Sequence, residues 1–233
     1  PYFNANPKKY ISALVSEDCW QATPGKVVDL VRNLGIAAGG TVMEDCRVLE
    51  ACREGKYTSV LVQTHDKKYV EYRTEHALGS GAGKLCDSMG IDAGLYPVRH
   101  QAFITRRLPM LGKHGTNLDM LIDRQDYKGF SAVYGQQIAY TGQIIGCASP
   151  KLDAMRIDKN LKVNTKAFLE IVSEMFSEWI PDLAGVGIQA VWAGYYTEPR
   201  YIVDPELGLF VGMRGHGFML SQYIARMYVD KLL

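Results

Sequence analysis

Leu207-Gly208-Leu209-Phe210-Val211-Gly212-Met213-Arg214-Gly215-His216-Gly217-Phe218-Met219-Leu220 decides how the rest of the chain is read. Its apolar opening predicts a short buried strand that stops at Gly212. A glycine-punctuated loop follows, from Gly212 to Gly217. Leu220, Ile224 and Met227 then recur at helical spacing toward the last residue. The unit is therefore strand, glycine loop, helix. Glycines let backbone N–H groups approach a ligand, and a helix opens with unpaired N–H donors at the positive end of its dipole. That arrangement suits a phosphate or the electron-rich edge of a flat cofactor. From the glycines alone an ordinary strand-to-helix turn reads equally well, because short glycine patterns have little specificity.

The chain has 233 residues, 47% hydrophobic and 22% charged, which are ordinary globular values for one large domain or two small ones. A net charge of +1 excludes the electrostatic footprint of a nucleic-acid binder. No apolar run is long enough to span a bilayer and no charged-then-apolar leader is present; the odd cysteine count argues against a disulfide framework and predicts a reducing, cytoplasmic home. The five cysteines, Cys19, Cys46, Cys52, Cys86 and Cys147, are scattered without a CxxC pair. They are expected to be reduced, buried small hydrophobes, and no metal site is expected.

Helix and strand patterns follow in order. Thr23-Pro24 reads as an N-cap with proline at the first helical position, followed by Val27, Leu30, Val31 and Leu34 at helical spacing and stopped by Gly39-Gly40. Cys46–Glu50 reads as a strand. Tyr57–Thr64 and Lys68–Thr74 read as a hairpin turning at His65-Asp66-Lys67. Further strands are expected at Pro97–Thr105, Leu118–Asp123, Phe130–Tyr134, Gln137–Gly146 and Ile188–Trp192. Asn164 or Thr165 caps an amphipathic helix carrying Phe168, Ile171, Val172, Met175, Phe176, Trp179 and Ile180, and Pro181 ends it.

Three stretches carry a resemblance: Gly215-His216-Gly217-Phe218 between a strand and the last helix, Pro97–Thr105, and Trp192-Ala193-Gly194-Tyr195-Tyr196-Thr197-Glu198-Pro199. Together they resemble the FAD-dependent sarcosine oxidase, glycine oxidase and D-amino-acid oxidase family. The likeness runs from about Thr23 to Leu233. It implies an α+β / α/β architecture: a substrate-binding antiparallel sheet covered by helices, plus the C-terminal portion of a Rossmann-like FAD-binding domain. The implied division is residues 1–94 in the FAD-binding domain, 95–187 in the substrate domain, and 188–233 returning to the cofactor. It also implies cofactor contacts from Gly212, Arg214, Gly215, His216, Gly217, Phe218 and Met219 on the pyrimidine side of the flavin. Val48 is implied beside the adenine. Gly81 is implied within Glu75–Gly83, a stretch similar to the family's second dinucleotide-side strand; from the residues alone a plain tight turn reads equally well.

The family's opening GxGxxG loop is absent, and Gly79-Ser80-Gly81-Ala82-Gly83-Lys84 has neither its spacing nor its following acid. The chain thus resembles the C-terminal part of such an enzyme, its pyrophosphate half supplied in cis or by a partner subunit. Alone it is expected to hold FAD weakly and to be inactive. Where some relatives attach flavin through cysteine, Gly194 or Tyr195 stands here, so FAD is expected to be non-covalent. The places at which relatives hold a substrate carboxylate correspond to Tyr196 and Met219. Arg200 or Arg214 offers a carboxylate-binding fork instead, or is a surface ion-pair residue. His100 either faces the substrate or is structural. The implied chemistry is hydride transfer from a C–H bond of an amine or amino acid to flavin N5. That chemistry needs no general base, so no catalytic residue is assigned. A non-catalytic flavoprotein-like partner-binding module and a hydroxy-acid oxidoreductase of the same fold remain open alternatives.

Overall fold

Pro24 opens the first helix where Thr23-Pro24 predicts it, in a computed structural model that describes residues 8, 14–16, 18–54, 57–73, 79–109, 111, 118–125, 128, 130–138, 141–150, 165–198, 202–204 and 209–232. Helix α1 spans Pro24–Ala37; Thr23 is extended but makes no side-chain cap. Gly39, at φ 95°, turns the chain after the helix. The apolar spacing is real, yet α1 buries none of its residues.

Strands β1 (Arg47–Glu54), β2 (Tyr57–Gln63) and β3 (Tyr69–Arg73) form an antiparallel sheet in that order. The hairpin turns at the expected residues: Thr64 N–H donates to Lys68 O and Lys67 N–H to Thr64 O, each at 2.9 Å. Ala51, Val60 and Val62 bury one face of the sheet against Tyr72, Leu85 and Met89. Strand alternation places Cys52 outside, next to inward Ala51. Cys19 is exposed as well and Cys46 is half-buried, so of the five free cysteines only Cys86 and Cys147 are buried as expected.

Of the two readings of Glu75–Gly83, a family strand or a plain tight turn, the described residues form the turn and no strand. Residues 75–78 lie outside the described set. Gly79–Gly81 is a single 3₁₀ turn that runs into α2 (Ala82–Ser88). Gly79 takes φ 52°, and a Cβ on Gly83 would stand 2.6 Å from the backbone oxygen of Leu95. These glycines serve a tight turn and close helix packing.

Pro97–Tyr195 forms its own unit. Its sheet contains β4 (Tyr96–Thr105), β5 (Leu121–Asp123), β6 (Phe130–Ile138), β7 (Gln143–Pro150) and β8 (Ile188–Glu198), in the order β5-β6-β7-β4-β8. The β5–β6, β6–β7 and β7–β4 pairings are antiparallel. The sequence reading breaks β6 at Gly135-Gln136; the strand instead continues and pairs Gly135 with Gly146. The chain turns later, where Gly142 takes φ 68°. Helix α3 (Thr165–Trp179) covers this sheet, ending before Pro181 as expected. Its Phe168, Val172, Met175, Phe176 and Trp179 pack with Phe103, Phe130, Val133 and Ile144. Phe103 and Phe176 meet edge to face at 5.2 Å, and Trp179 Nε1 donates to Asp123 Oδ2 at 3.0 Å. The expected cap, Asn164 or the Thr165 side chain, lies outside the described residues.

The chain returns through β9 (Ile202–Asp204) and β10 (Leu209–Val211), an antiparallel pair, and finishes in α4 (Gly217–Leu232). Leu209 and Val211 share a core with Ala82, Cys86 and Ala93. Segments from opposite ends of the chain, Ser16–Tyr96 and Tyr196–Leu233, thereby form one unit. The result is the expected α+β architecture. Among the described residues, no helix is long and apolar enough to cross a membrane.

Candidate functional site

The loop from β10 to α4 begins on a fixed strand. Leu209 and Val211 are each 1% exposed, so the chain enters the loop from a buried anchor. Gly212 then takes φ 74°, a conformation that costs glycine no Cβ clash. Arg214 takes φ 51°, which is uncommon for a residue with a side chain. Two bonds hold it there. Its N–H donates to Thr197 O at 3.1 Å, and its Nε donates to the Glu198 carboxylate at 2.8 Å. The Glu198 side chain is 10% exposed and that of Arg214 44%. The end of β8 therefore buttresses the loop by backbone and by charge.

Gly215 lies against Tyr196; a Cβ there would stand 2.5 Å from the ring's Cε2. His216 N–H donates to Met213 O, and His216 O accepts from Leu220 N–H, both at 3.0 Å. This closes the loop and opens α4. Gly217 is the helix's first residue, with a backbone any residue adopts; a Cβ there would meet Met213 Cβ at 3.1 Å. Arg214, Gly215, His216, Phe218 and Met219 are all exposed.

A solvent-facing edge results, in which the first-turn N–H groups and dipole of a 16-residue helix sit beside a glycine-lined loop. The neighbouring Glu198 carboxylate is already paired with Arg214. These residues fit the electron-rich pyrimidine edge of a flavin: backbone N–H donors and the positive end of a helix dipole.

The other sequence candidates fall as follows. Tyr196 joins the loop through Gly215. In the same unit, Val48 pairs with Val62 on β1, 40% exposed, beside an irregularity before Glu50; Gly81 precedes α2. His100 belongs to the other unit, on β4, where it is buried next to Gln101. Burial pulls its pKa down to about 4, so it is neutral at pH 7. Arg200 lies outside the described residues. Thr197 and Glu198 are the members that sequence reasoning missed; the available signal was an acid closing the Trp192–Pro199 stretch. Among the described residues, no group of three or more His, Cys, Asp or Glu is placed to hold a metal.

Residues 2–231 match the sequence model of a family described as FAD dependent oxidoreductase, DAO. Among solved structures, L-proline dehydrogenase from P. horikoshii is similar at TM-score 0.69 and 25% identity, over 91% of this chain and 55% of that one. Glycine oxidase from Geobacillus kaustophilus is similar at TM-score 0.60 and 19% identity, over 84% of this chain and 50% of that one. Glycine oxidase from Bacillus cereus ATCC 14579 gives TM-score 0.62 and 19% identity, over 88% of this chain and 55% of that one. The chain spans about half the length of these relatives. A sequence comparison with curated proteins returned no match.

Proposed function

The chain belongs to the FAD-dependent oxidoreductase family, and on that premise we propose that it is the flavin-edge and substrate-sheet part of an enzyme oxidising amines or amino acids. The observation that carries this reading is the β10–α4 loop: a helix N-terminus, exposed and glycine-lined, braced from behind by Tyr196 and the Arg214–Glu198 pair. The amine or amino-acid class is supported by the likeness to an L-proline dehydrogenase and glycine oxidases.

FAD, when bound, supplies N5 as the hydride acceptor for a substrate C–H bond. The chain's own part is to bind and orient. Gly212, Arg214, Gly215, His216, Gly217, Phe218 and Met219 would hold the ring's pyrimidine side, and the first turn of α4 would offset negative charge there. Val48 and Gly81 would serve the rest of the cofactor. Tyr196, Arg200 and His100 are the substrate-side candidates, with His100 acting as a neutral hydrogen-bonding group at pH 7. Attachment of FAD is non-covalent in this reading, because Gly194 and Tyr195 offer no thiol. Residues 1–94 and 188–233 serve the cofactor and 95–187 the substrate. The remaining pyrophosphate-binding half comes in cis or from a partner chain. Free cysteines suit a reducing cytoplasm.

The test joins this chain to that half, titrates FAD, and screens amines and small amino acids anaerobically for flavin bleaching. Bleaching by an amino acid is expected. A flavin-loaded protein that only a hydroxy acid reduces, or a complete protein that takes no flavin, overturns the reading.

A further inference from the structure

We propose that Glu198 is a positioning residue for the flavin: through Arg214 it sets the charge that the β10–α4 loop presents to the ring, and with it the flavin's reduction potential. The inference deepens the reading above and rests on it, since it takes this loop to lie at the pyrimidine edge.

Arg214 stands where the backbone suits a glycine. Its φ of 51° is left-handed, a conformation that Gly, Asn or Asp adopts at less cost. The loop therefore carries a long cation where the turn alone asks for none. Two fixed points hold that cation. Thr197 and Arg214 form an isolated antiparallel bridge, in which Arg214 N–H donates to Thr197 O at 3.1 Å. One residue further along β8, the Glu198 carboxylate accepts from Arg214 Nε at 2.8 Å. Thr197 and Glu198 are both buried, so the acid is the fixed partner and the arginine the one that is held. The grip is through one N–H. A guanidinium serving only as a tie would meet the carboxylate through two parallel bonds, the stronger arrangement. Here, among the described residues, neither Nη group makes a bond. Those donors belong to a part-exposed side chain in the loop that leads into α4. The pair thus gives the loop hydrogen-bond donors with close to no net charge.

Charge is what a flavin registers. Its pyrimidine side gains electron density on reduction, so a nearby cation favours the reduced form and a nearby anion the oxidised form. Arg214 alone would add to the positive end of the α4 dipole. Glu198 offsets it, and a buried carboxylate is screened less by salt than an exposed one, so the offset persists. The chain's contribution to the potential is then the helix end, with the arginine held as a donor and not as a free cation.

The experiment joins the 233-residue chain to its pyrophosphate-binding half, loads FAD, and measures the midpoint potential of the bound flavin by dye equilibration. Glu198→Gln keeps the size of the side chain and an acceptor for Nε but removes the charge. It should favour the reduced flavin by about tenfold or more, which is about 30 mV upward for a two-electron couple. Arg214→Met should move the potential downward by a comparable factor. The double variant, Glu198→Gln with Arg214→Met, removes both charges and should return to within about threefold of the parent. A brace with no electrostatic part predicts a different pattern: both single variants loosen the loop and shift the potential the same way, and the double variant recovers nothing. A second measurement needs no flavin. Amide exchange at Arg214 in the 233-residue chain should be the same in Glu198→Gln as in the parent, because the backbone bond to Thr197 remains. Three outcomes overturn the proposal: an unmoved potential in Glu198→Gln, shifts of the same sign in both single variants, or exchange at Arg214 accelerated as much by Glu198→Gln as by Arg214→Met. A complete protein that takes no flavin sinks the flavoenzyme reading and this proposal with it. A flavin-loaded protein whose potential ignores Glu198 sinks the proposal alone.

Discussion

Arg214 donates from Nε to the Glu198 carboxylate at 2.8 Å, and the acid is much the more buried partner: 10% of its side chain is exposed against 44% for the arginine. Solvent screens the arginine, so the attraction itself contributes little. The consequence lies in what removal leaves behind. Arg214→Ala keeps a side chain at the same left-handed backbone position but strands a buried carboxylate. It should cost about 1–3 kcal/mol, whereas Glu198→Gln, which keeps an acceptor and sheds the charge, should cost less than about 1 kcal/mol. Urea unfolding of the two variants checks the order. Equal losses would show that the charge pair, and not the stranded acid, sets the loop's stability.

Gly146 is the tightest glycine of the five-stranded sheet. A Cβ there would stand 2.3 Å from Phe103 Cζ and 2.7 Å from the backbone oxygen of Tyr134. Its cross-strand partner Gly135 would bring a Cβ to 3.4 Å from Ile144 and Phe176, at the edge of ordinary contact. Gly146→Ala should therefore destabilise by about 1–3 kcal/mol or more through overpacking, and Gly135→Ala by less than about 1 kcal/mol. Thermal melts of both, measured side by side, should separate clearly; similar melting temperatures would refute the packing argument.

The same two glycines explain what could and could not be read in advance. Helix α3 was legible because its period is sustained and Pro181 stops it. The hairpin of β2 and β3 was legible because its turn residues sit between alternating runs. Gly135 looked like a break in β6, since the ring packed nearest to it, Phe176, comes from α3, far away in sequence. Helix α2, seven residues long, has too few turns for a period and owes its place to packing at Leu95, Leu209 and Val211. In the candidate site, the loop and helix were legible from local pattern. The Glu198–Arg214 brace was not, because a pair sixteen residues apart across a return of the chain has no periodic signature.

His100 makes stability depend on pH. Burial lowers its pKa from 6.5 to about 4. The unfolded chain therefore takes up a proton at this site before the folded chain does. The group's contribution is fully present above about pH 6.5, is lost as pH falls toward about 4, and changes no further below that. The span is worth up to about 3 kcal/mol. A His100→Gln variant should unfold in urea with a flatter stability profile between about pH 7 and pH 4.5 than the parent chain. Parallel profiles would show that His100 is not buried as a neutral group.

Thiol chemistry should sort by burial. Cys19 and Cys52 are exposed, and Cys86 and Cys147 are buried. Burial raises the Cys86 thiol's pKa and pushes that of Cys147 up to about 11. An aromatic disulfide reagent at about pH 8 should label Cys19 and Cys52 promptly and Cys46 more slowly, while the two buried thiols wait for denaturant. Mass spectrometry of partially labelled chain checks the order; early labelling of Cys147 would contradict the closed β6–β7 core.

The loop separates two explanations of its glycines. At Gly215 a Cβ would stand 2.5, 3.1 and 3.2 Å from three atoms of the Tyr196 ring. That ring belongs to β8, whose next residues are buried and bonded to Arg214, so the loop must give way. At Gly217 the backbone is ordinary and the approach is 3.1 Å, to Met213 Cβ; alanine there also favours the helix. If the protein shapes the loop from behind, Gly215→Ala should lower both the melting temperature of the chain and the flavin-to-protein ratio of the complete enzyme. Gly217→Ala should leave stability within about 1 kcal/mol. Adding Tyr196→Leu to Gly215→Ala should recover part of the lost stability, a favourable coupling that a double-mutant cycle measures. If instead a ligand's approach is what requires glycine, Gly217→Ala should empty the enzyme of flavin while the isolated chain stays as stable as before. Flavin content and melting temperature, taken on both single variants and on the pair, decide between bracing by Tyr196 and contact with the ring. Full flavin occupancy in both single variants would remove the loop from the cofactor altogether.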